Sequence, residues 1–158
     1  MAGVRVPLLV GLAALALAGC SSTSDANPPP VKLDELDLTH YMSKPCSLFD
    51  ADQLSDLGMS RAAVGSIQPD LSMCVLSAAG SNVIVHLATN SPFPKADAGR
   101  QVAGFPAHEV AGKDTSCAVW VVVADTQRIS ASSTGGDGCH LAENVATSAI
   151  ATIKRLSP

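Results

Sequence analysis

Two neighbouring stretches in the middle of the chain have the alternating pattern that predicts a β-hairpin. Met73–Ala79 and Asn82–Thr89 are rich in aliphatic residues, and Gly80-Ser81 separates them as a turn. In the second stretch, one set of alternate positions forms an apolar face made of Val83, Val85 and Leu87. The other set forms a mixed face made of Ile84, His86 and Ala88.

A second pair of strands is predicted further along the chain. Cys117–Ala124 is apolar on both faces, which favours a central strand that is covered on both sides. This pattern places Trp120 in the core. Asp125-Thr126 then turns the chain into Gln127–Ser133 as an antiparallel partner, and Ala107–Val110 adds another short strand.

Helices are predicted at both ends of this region. Asp50 precedes a short helical segment, and Gln53 three residues later completes a capping box; Gly58 supplies the stop. Near the end of the chain, Asp137 can cap a helix from about Cys139 to Leu156. The apolar stripe of that helix contains Leu141, Val145, Ala149 and Ile153, widened by Ala142, Ala146 and Ile150.

These elements predict the fold class and the division of the chain. We expect an α+β domain with an antiparallel sheet of about five to seven strands. A short N-terminal helix and a long C-terminal helix pack on that sheet. The domain is expected to occupy residues 45–158, after a signal peptide at 1–19 and a tether at 20–44.

The beginning of the chain has the composition of an export signal. Arg5 lies in a short charged start, and the apolar run Pro7–Leu17 is too short to span a bilayer. Leu17-Ala18-Gly19-Cys20 resembles the lipobox of bacterial lipoproteins. That resemblance implies cleavage before Cys20 and acylation of its thiol, which would anchor the protein on the extracytoplasmic side of the cell membrane. A plain signal peptide with an incidental cysteine is the alternative.

The segment after Cys20 has the composition of a tether. Ser21–Pro30 lacks apolar periodicity, and its three prolines favour an extended polyproline II conformation. Acidic and leucine residues alternate in residues 31–44, which could form a short strand or a flank of the domain. Whether this stretch joins the domain stays open.

Charge argues against two classes of partner. The chain has 10 Lys and Arg, 14 Asp and Glu, and a net charge of −4. Loss of Arg5 with the signal leaves 9 basic against 14 acidic residues, a net charge of −5. An acidic chain of this kind is not expected to bind nucleic acid or anionic lipid by electrostatics.

Four cysteines besides Cys20 predict two disulfides. An even number of cysteines in an exported chain favours disulfides over metal binding, and no C-x-x-C spacing occurs. Three pairings are possible. We favour Cys117–Cys139, because the predicted hairpin returns the chain to the level of Cys117 shortly before Cys139. That choice leaves Cys46–Cys74 as the second bridge, and no metal or cofactor is expected.

No catalytic constellation emerges from the sequence. A G-x-S-x-G elbow is missing, and His86 and His108 are the two histidines expected to border a sheet face. His40 falls in the tether, and His140 falls in the first turn of the last helix. The glycine-rich segment 134–139 is interpreted as a turn and helix cap. We therefore expect no enzymatic activity.

Four segments together resemble a known family. They are "PCSLFDADQLSDLG", "CVLS", "CAVWVVV" and "GCHLAENVATSAIATIKRL". With the lipobox, they are similar to a family of actinobacterial lipoproteins that is catalogued as a domain of unknown function. One departure is Leu76, where the family usually has an aromatic residue. The resemblance implies an exported, acylated α+β domain and brings no assigned activity.

Two functions of different classes remain. The first is a non-enzymatic interaction module that contacts other envelope proteins. The second is a carrier or sensor of an apolar or lipid ligand, with a cavity lined by residues such as Val85, Leu87 and Ile150. A hydrolase is the third and least supported reading. We favour the interaction module because it requires neither a ligand cavity nor a catalytic site.

Overall fold

A computed structural model describes residues 35–90, 100–113, 115–135 and 137–157. The predictions for the signal peptide, for Cys20 and for residues 21–34 of the tether concern residues outside these ranges. None of the helices in the described ranges is both long enough and apolar enough to cross a bilayer.

The fold is a seven-stranded antiparallel sheet with a long helix packed on it, which confirms the predicted α+β class. The strand order across the sheet is β1-β2-β3-β7-β6-β5-β4. The strands are β1 (Arg61–Ile67), β2 (Leu71–Ala78), β3 (Ser81–Ala88), β4 (Gln101–Val102), β5 (Phe105–Ala111), β6 (Cys117–Ala124) and β7 (Gln127–Thr134). The helices are α1 (Ala51–Asp56) and α2 (Gly138–Leu156), and two 3₁₀ turns cover Thr39–Tyr41 and Pro45–Leu48.

Both predicted hairpins are present. β2 pairs with β3 around Gly80, whose φ of +80° is a conformation that glycine adopts without strain. β6 pairs with β7 around Asp125-Thr126. The two hairpins join where β3 pairs with β7, so that the centre of the sheet is built from segments far apart in sequence.

The core lies between α2 and one face of the sheet. Val83, Val85 and Leu87 are fully buried on this face, as predicted from their alternation. The helix contributes a buried stripe made of Ala142, Val145, Ala146, Ala149, Ile150 and Ile153. Asp137 occupies the N-cap position of α2, but its side chain makes no capping hydrogen bond there.

The capping box predicted for the first helix is confirmed. The Asp50 carboxylate accepts a hydrogen bond from the Gln53 backbone N–H, and the Gln53 side chain accepts one from the Asp50 N–H. The Gln53 amide also donates to Ser148 Oγ at 3.0 Å and Thr152 Oγ1 at 2.6 Å. These contacts hold α1 against α2, on the helix-covered side of the sheet.

One prediction about β6 is wrong. Burial alternates along the strand: the side chains that face α2 are buried, whereas Ala118, Trp120 and Val122 on the other face are only half-buried. No helix in the described ranges covers that second face. Trp120 therefore lies on a partly exposed surface and not in the core.

The domain begins earlier than residue 45. Leu36 and Leu38 are buried, and Glu35 and Asp37, which alternate with them, face solvent. The Leu36 N–H donates to the Val123 carbonyl at 3.0 Å, and the Leu38 N–H donates to Gln127 Oε1 at 2.7 Å. Residues 35–44 thus belong to the domain, because their leucines complete the core beside β6 and β7.

Two disulfides join the pairs that the sequence favoured. Cys46–Cys74 ties the second 3₁₀ turn to β2, with the Cα atoms 5.1 Å apart. Cys117–Cys139 ties the start of β6 to the first turn of α2, with a Cα separation of 4.9 Å. Each bridge therefore fastens a helical element to the sheet.

Candidate interaction surface

The face of the sheet opposite α2 carries a row of side chains across five strands. Directly paired residues in neighbouring strands share a face, so the pairing places Met73, His86, Ser130, Trp120 and His108 side by side. We call the side chains of β2, β3, β7, β6 and β5 on this side the open face.

The rows on either side of this central row are mostly apolar. Val75, Ile84 and Ala118 lie in one flanking row, and Ala88 and Val122 lie in the other. Four of these five side chains are half-buried, whereas Ala88 is buried. The open face thus combines apolar side chains with a few polar ones on a rigid sheet.

Trp120 lies on β6, next to the β5 end of the row, and is held between two neighbours. The Arg128 guanidinium carbon lies 4.8 Å from the Trp120 ring centroid, a cation–π distance. On the other side, the His108 ring packs edge-on at a centroid distance of 6.2 Å. These contacts fix the orientation of the indole before any partner binds.

The charge of the open face differs from that of the whole chain. Among the described strand positions on this face, none is an aspartate or glutamate, although the chain has 14 acidic residues. Arg128 is the charged residue there, and His86 and His108 are titratable. The described strand positions of the open face therefore lack the acidic side chains that the rest of the chain carries.

His86 lies in a partly buried position near Arg128. Burial lowers the pKa of its imidazole, and the positive charge of Arg128 lowers that pKa further. Directly opposite lies Ser130, yet no hydrogen bond joins the two side chains in the part of the chain that the structure describes.

The four histidines do not converge on one site. His86 and His108 share the open face, but β7 and β6 separate them. His40 is exposed in the first 3₁₀ turn, and His140 is exposed on α2, with its Nδ1 3.2 Å from the Asn144 amide. The sequence predicted the elements that carry His86, His108 and His140 correctly, but it placed His40 in the tether.

Two other places bring polar side chains together. Glu109 lies beside the sulfurs of Cys117 and Cys139, within 4.8 Å, but disulfide sulfurs are not the thiolates that bind metals. An open groove of about 690 Å³ is lined by Asp37, Lys44 and neighbouring residues. Hydrogen bonds from the backbone and hydroxyl of Thr39 lower the pKa of Asp37, so this carboxylate is already satisfied.

The residues proposed to line a ligand cavity lie in the interior. Val85, Leu87 and Ile150 are each fully buried and belong to one continuous core cluster between the sheet and α2. Their side chains pack against other protein side chains, as in an ordinary protein interior.

Comparison with known families gives one match. The sequence profile of the family described as "Protein of unknown function (DUF3558)" matches residues 15–152. The chain belongs to the DUF3558 family. No curated protein matches the chain. No solved structure matches it either. The DUF3558 description names no activity.

The contact between Trp120 and Arg128 depends on a β-bulge that the sequence pattern does not predict. A two-residue turn at Asp125-Thr126 with regular pairing would place Val123 opposite Arg128, and Arg128 would then lie on the helix-covered face. The register instead shifts between Val122 and Ala124, so that Val122 pairs with Arg128 and Trp120 pairs with Ser130. Arg128 is therefore the diagonal neighbour of Trp120, within reach of a long side chain.

Proposed function

We propose that this DUF3558 protein is an exported lipoprotein of the actinobacterial type that acts as a non-enzymatic interaction module. Acylated Cys20 attaches it to the outer face of the cytoplasmic membrane, and its open face binds another envelope protein. The observation that carries the proposal is the row that contains Trp120. It presents a preoriented tryptophan among apolar side chains, and none of the described strand positions of the open face is acidic.

The composition of the open face matches that of protein-binding surfaces. Tryptophan, arginine and methionine are enriched in the cores of protein–protein interfaces, and tryptophan and arginine dominate their binding energy. Trp120 and Arg128 lie on neighbouring strands of this face, and Met73 lies on the same face two strands further along the sheet. Because the sheet fixes their backbone, little conformational entropy is lost when a partner binds.

Two features support export and anchoring. Cysteines paired as disulfides are typical of oxidising compartments. The family match begins at residue 15, so it includes the stretch Leu17–Cys20 that resembles a lipobox. The 14 residues between Cys20 and Glu35 set a covalent limit of about 50 Å on the distance between anchor and domain.

The binding experiment compares Trp120→Ala with a matched variant outside the open face. A partner is first captured by the full wild-type chain from detergent-solubilised envelopes, and its affinity for each variant is then measured. We expect Trp120→Ala to weaken binding by about 30-fold or more, the effect of losing a central aromatic anchor. Leu156→Ala removes a large side chain that is 60% exposed at the end of α2, and it should change the affinity less than twofold.

Equal affinity of the two variants for the partner would contradict the proposal. A loss of binding by both folded variants would do so as well, because binding would then depend on a surface outside the open face. Ile84→Lys provides a second test on the same face, since it adds a positive charge beside His86 without removing the tryptophan. It should also weaken binding.

A further inference from the structure

β1 is a long edge strand of the sheet that the structure describes. β1 pairs with β2 on one side and with no other strand in the described ranges. The opposite edge, β4, is only two residues long, whereas β1 has seven residues. An exposed strand of this length presents a row of backbone donors and acceptors to any second strand that can approach.

Exposed apolar side chains cluster at this edge. Among the described residues, five large hydrophobic side chains are strongly exposed, and three of them belong to β1 or to the beginning of β2. They are Val64 at 52%, Ile67 at 53% and Leu71 at 37%. Such clustering on one edge is typical of a surface that is covered by a partner.

A β-bulge places the two apolar residues of β1 on the same face. The register shifts between Val64 and Ser66, so Val64 lies opposite Cys74 and Ile67 lies opposite Ser72. Cys74 and Ser72 both point to the helix-covered side of the sheet. In a regular strand, Val64 and Ile67 would point to opposite faces because they are three positions apart, and the bulge at Gly65 brings them to the same face.

We propose that β1 pairs antiparallel with β1 of a second copy of this chain, about a two-fold axis that passes beside Val64. Val64 is the middle residue of β1, and a two-fold axis perpendicular to the sheet keeps the helix-covered sides of both copies together. The two Val64 side chains then contact each other, and Ala62 and Ile67 of each copy extend the apolar strip on either side.

The charges of the strand favour a second copy as the occupant. Arg61 is the single charged residue in β1 and stands at one end. In an antiparallel pair centred on Val64, the two Arg61 residues lie about 20 Å apart at opposite ends. That distance exceeds the screening length of physiological salt, so the pair brings no like charges together. The pairing is separate from the open face and does not depend on its partner.

The test compares the rates at which single cysteines form intermolecular disulfides in the full chain. Val64→Cys places the new thiols at the two-fold axis, where opposed Cβ atoms are about 5 Å apart. Arg61→Cys places them about 20 Å apart in the same exposed strand. Val110→Cys, at a position 43% exposed on β5, gives the rate of disulfide formation by random collision. The wild-type chain gives the background rate of disulfide formation through Cys20.

We expect the Val64→Cys chain to form a covalent dimer about tenfold faster than the Arg61→Cys and Val110→Cys chains under mild oxidation. Peptide mapping of the dimer should show Cys46–Cys74 and Cys117–Cys139 intact. Equal rates for Val64→Cys and Arg61→Cys would overturn the proposal, because they would indicate collision or a parallel pair. A Val64→Cys rate no higher than that of Val110→Cys would also overturn it. A Val64→Lys variant that still forms noncovalent dimers would exclude this edge as the interface.

Discussion

Replacing Cys20 with serine is expected to abolish fatty-acid labelling of the protein in cells that export it. A serine hydroxyl cannot form the thioether that holds the diacylglycerol, so the modification that the lipobox-like stretch implies is lost. Each buried methylene of an acyl chain contributes about 0.8 kcal/mol to membrane attachment, and two or three chains hold stably. The mature protein with serine at this position should therefore have no stable lipid anchor.

Cells are labelled with an alkyne fatty acid, and its incorporation into the protein is measured. The intact mass of the mature chain is then determined. Ser21→Ala is the matched control, because it alters the adjacent residue and leaves the thiol in place. Labelling of the Ser21→Ala chain should equal that of the wild type, and both mature chains should begin at Cys20. A wild-type chain that begins at another residue, or label that persists in the Cys20→Ser chain, would contradict the proposed anchor.

Removing the Cys46–Cys74 bridge is expected to lower the free energy of unfolding of the domain strongly. The bridge closes a loop of 28 residues, and Cys74 is fully buried in the core. The chain-entropy relation gives about 3 to 4 kcal/mol for a loop of this length. The free energy of unfolding of the Cys46→Ala/Cys74→Ala chain should fall by that amount.

Urea unfolding without reductant measures this loss for the exported full chain. Thr147→Ala is the control, since Thr147 is exposed on α2, and it should change the free energy of unfolding by less than about 0.5 kcal/mol. The Cys117→Ala/Cys139→Ala chain should lose about 3 kcal/mol, because its loop of 22 residues is slightly shorter. A loss below about 1 kcal/mol for the first bridge would show that the second 3₁₀ turn is held by packing alone.

Elements with a strong local pattern could be predicted from the sequence. The β2–β3 hairpin follows from alternation around Gly80, and α2 follows from its apolar stripe. The disulfide pairing followed from the β6–β7 hairpin, which brings Cys117 near the start of α2. In each case the interacting groups are close in sequence, so local spacing contains the information.

Elements that depend on the assembled sheet could not be predicted in this way. β1 consists of small and exposed residues without regular alternation, and its bulge at Gly65 breaks the period of two. β4 has only two residues. The uniformly apolar pattern of β6 predicted cover on both faces, because a pattern does not tell a buried side chain from one on a partly exposed apolar surface. The candidate surface was missed for that reason.

Site-specific photo-cross-linking tests the role of the open face most directly. A photoreactive amino acid is placed at Ile84, which is half-buried on the open face, or at Thr147, which is exposed on the opposite side on α2. The full chain is expressed in its envelope, irradiated, and analysed for covalent adducts with other proteins.

We expect the Ile84 position to give one discrete adduct of defined mass. Trp120→Ala should remove that adduct, and the Thr147 position should not produce it. An adduct of the same mass from Thr147, or an Ile84 adduct that persists in the Trp120→Ala chain, would contradict the assignment of the open face as the binding surface.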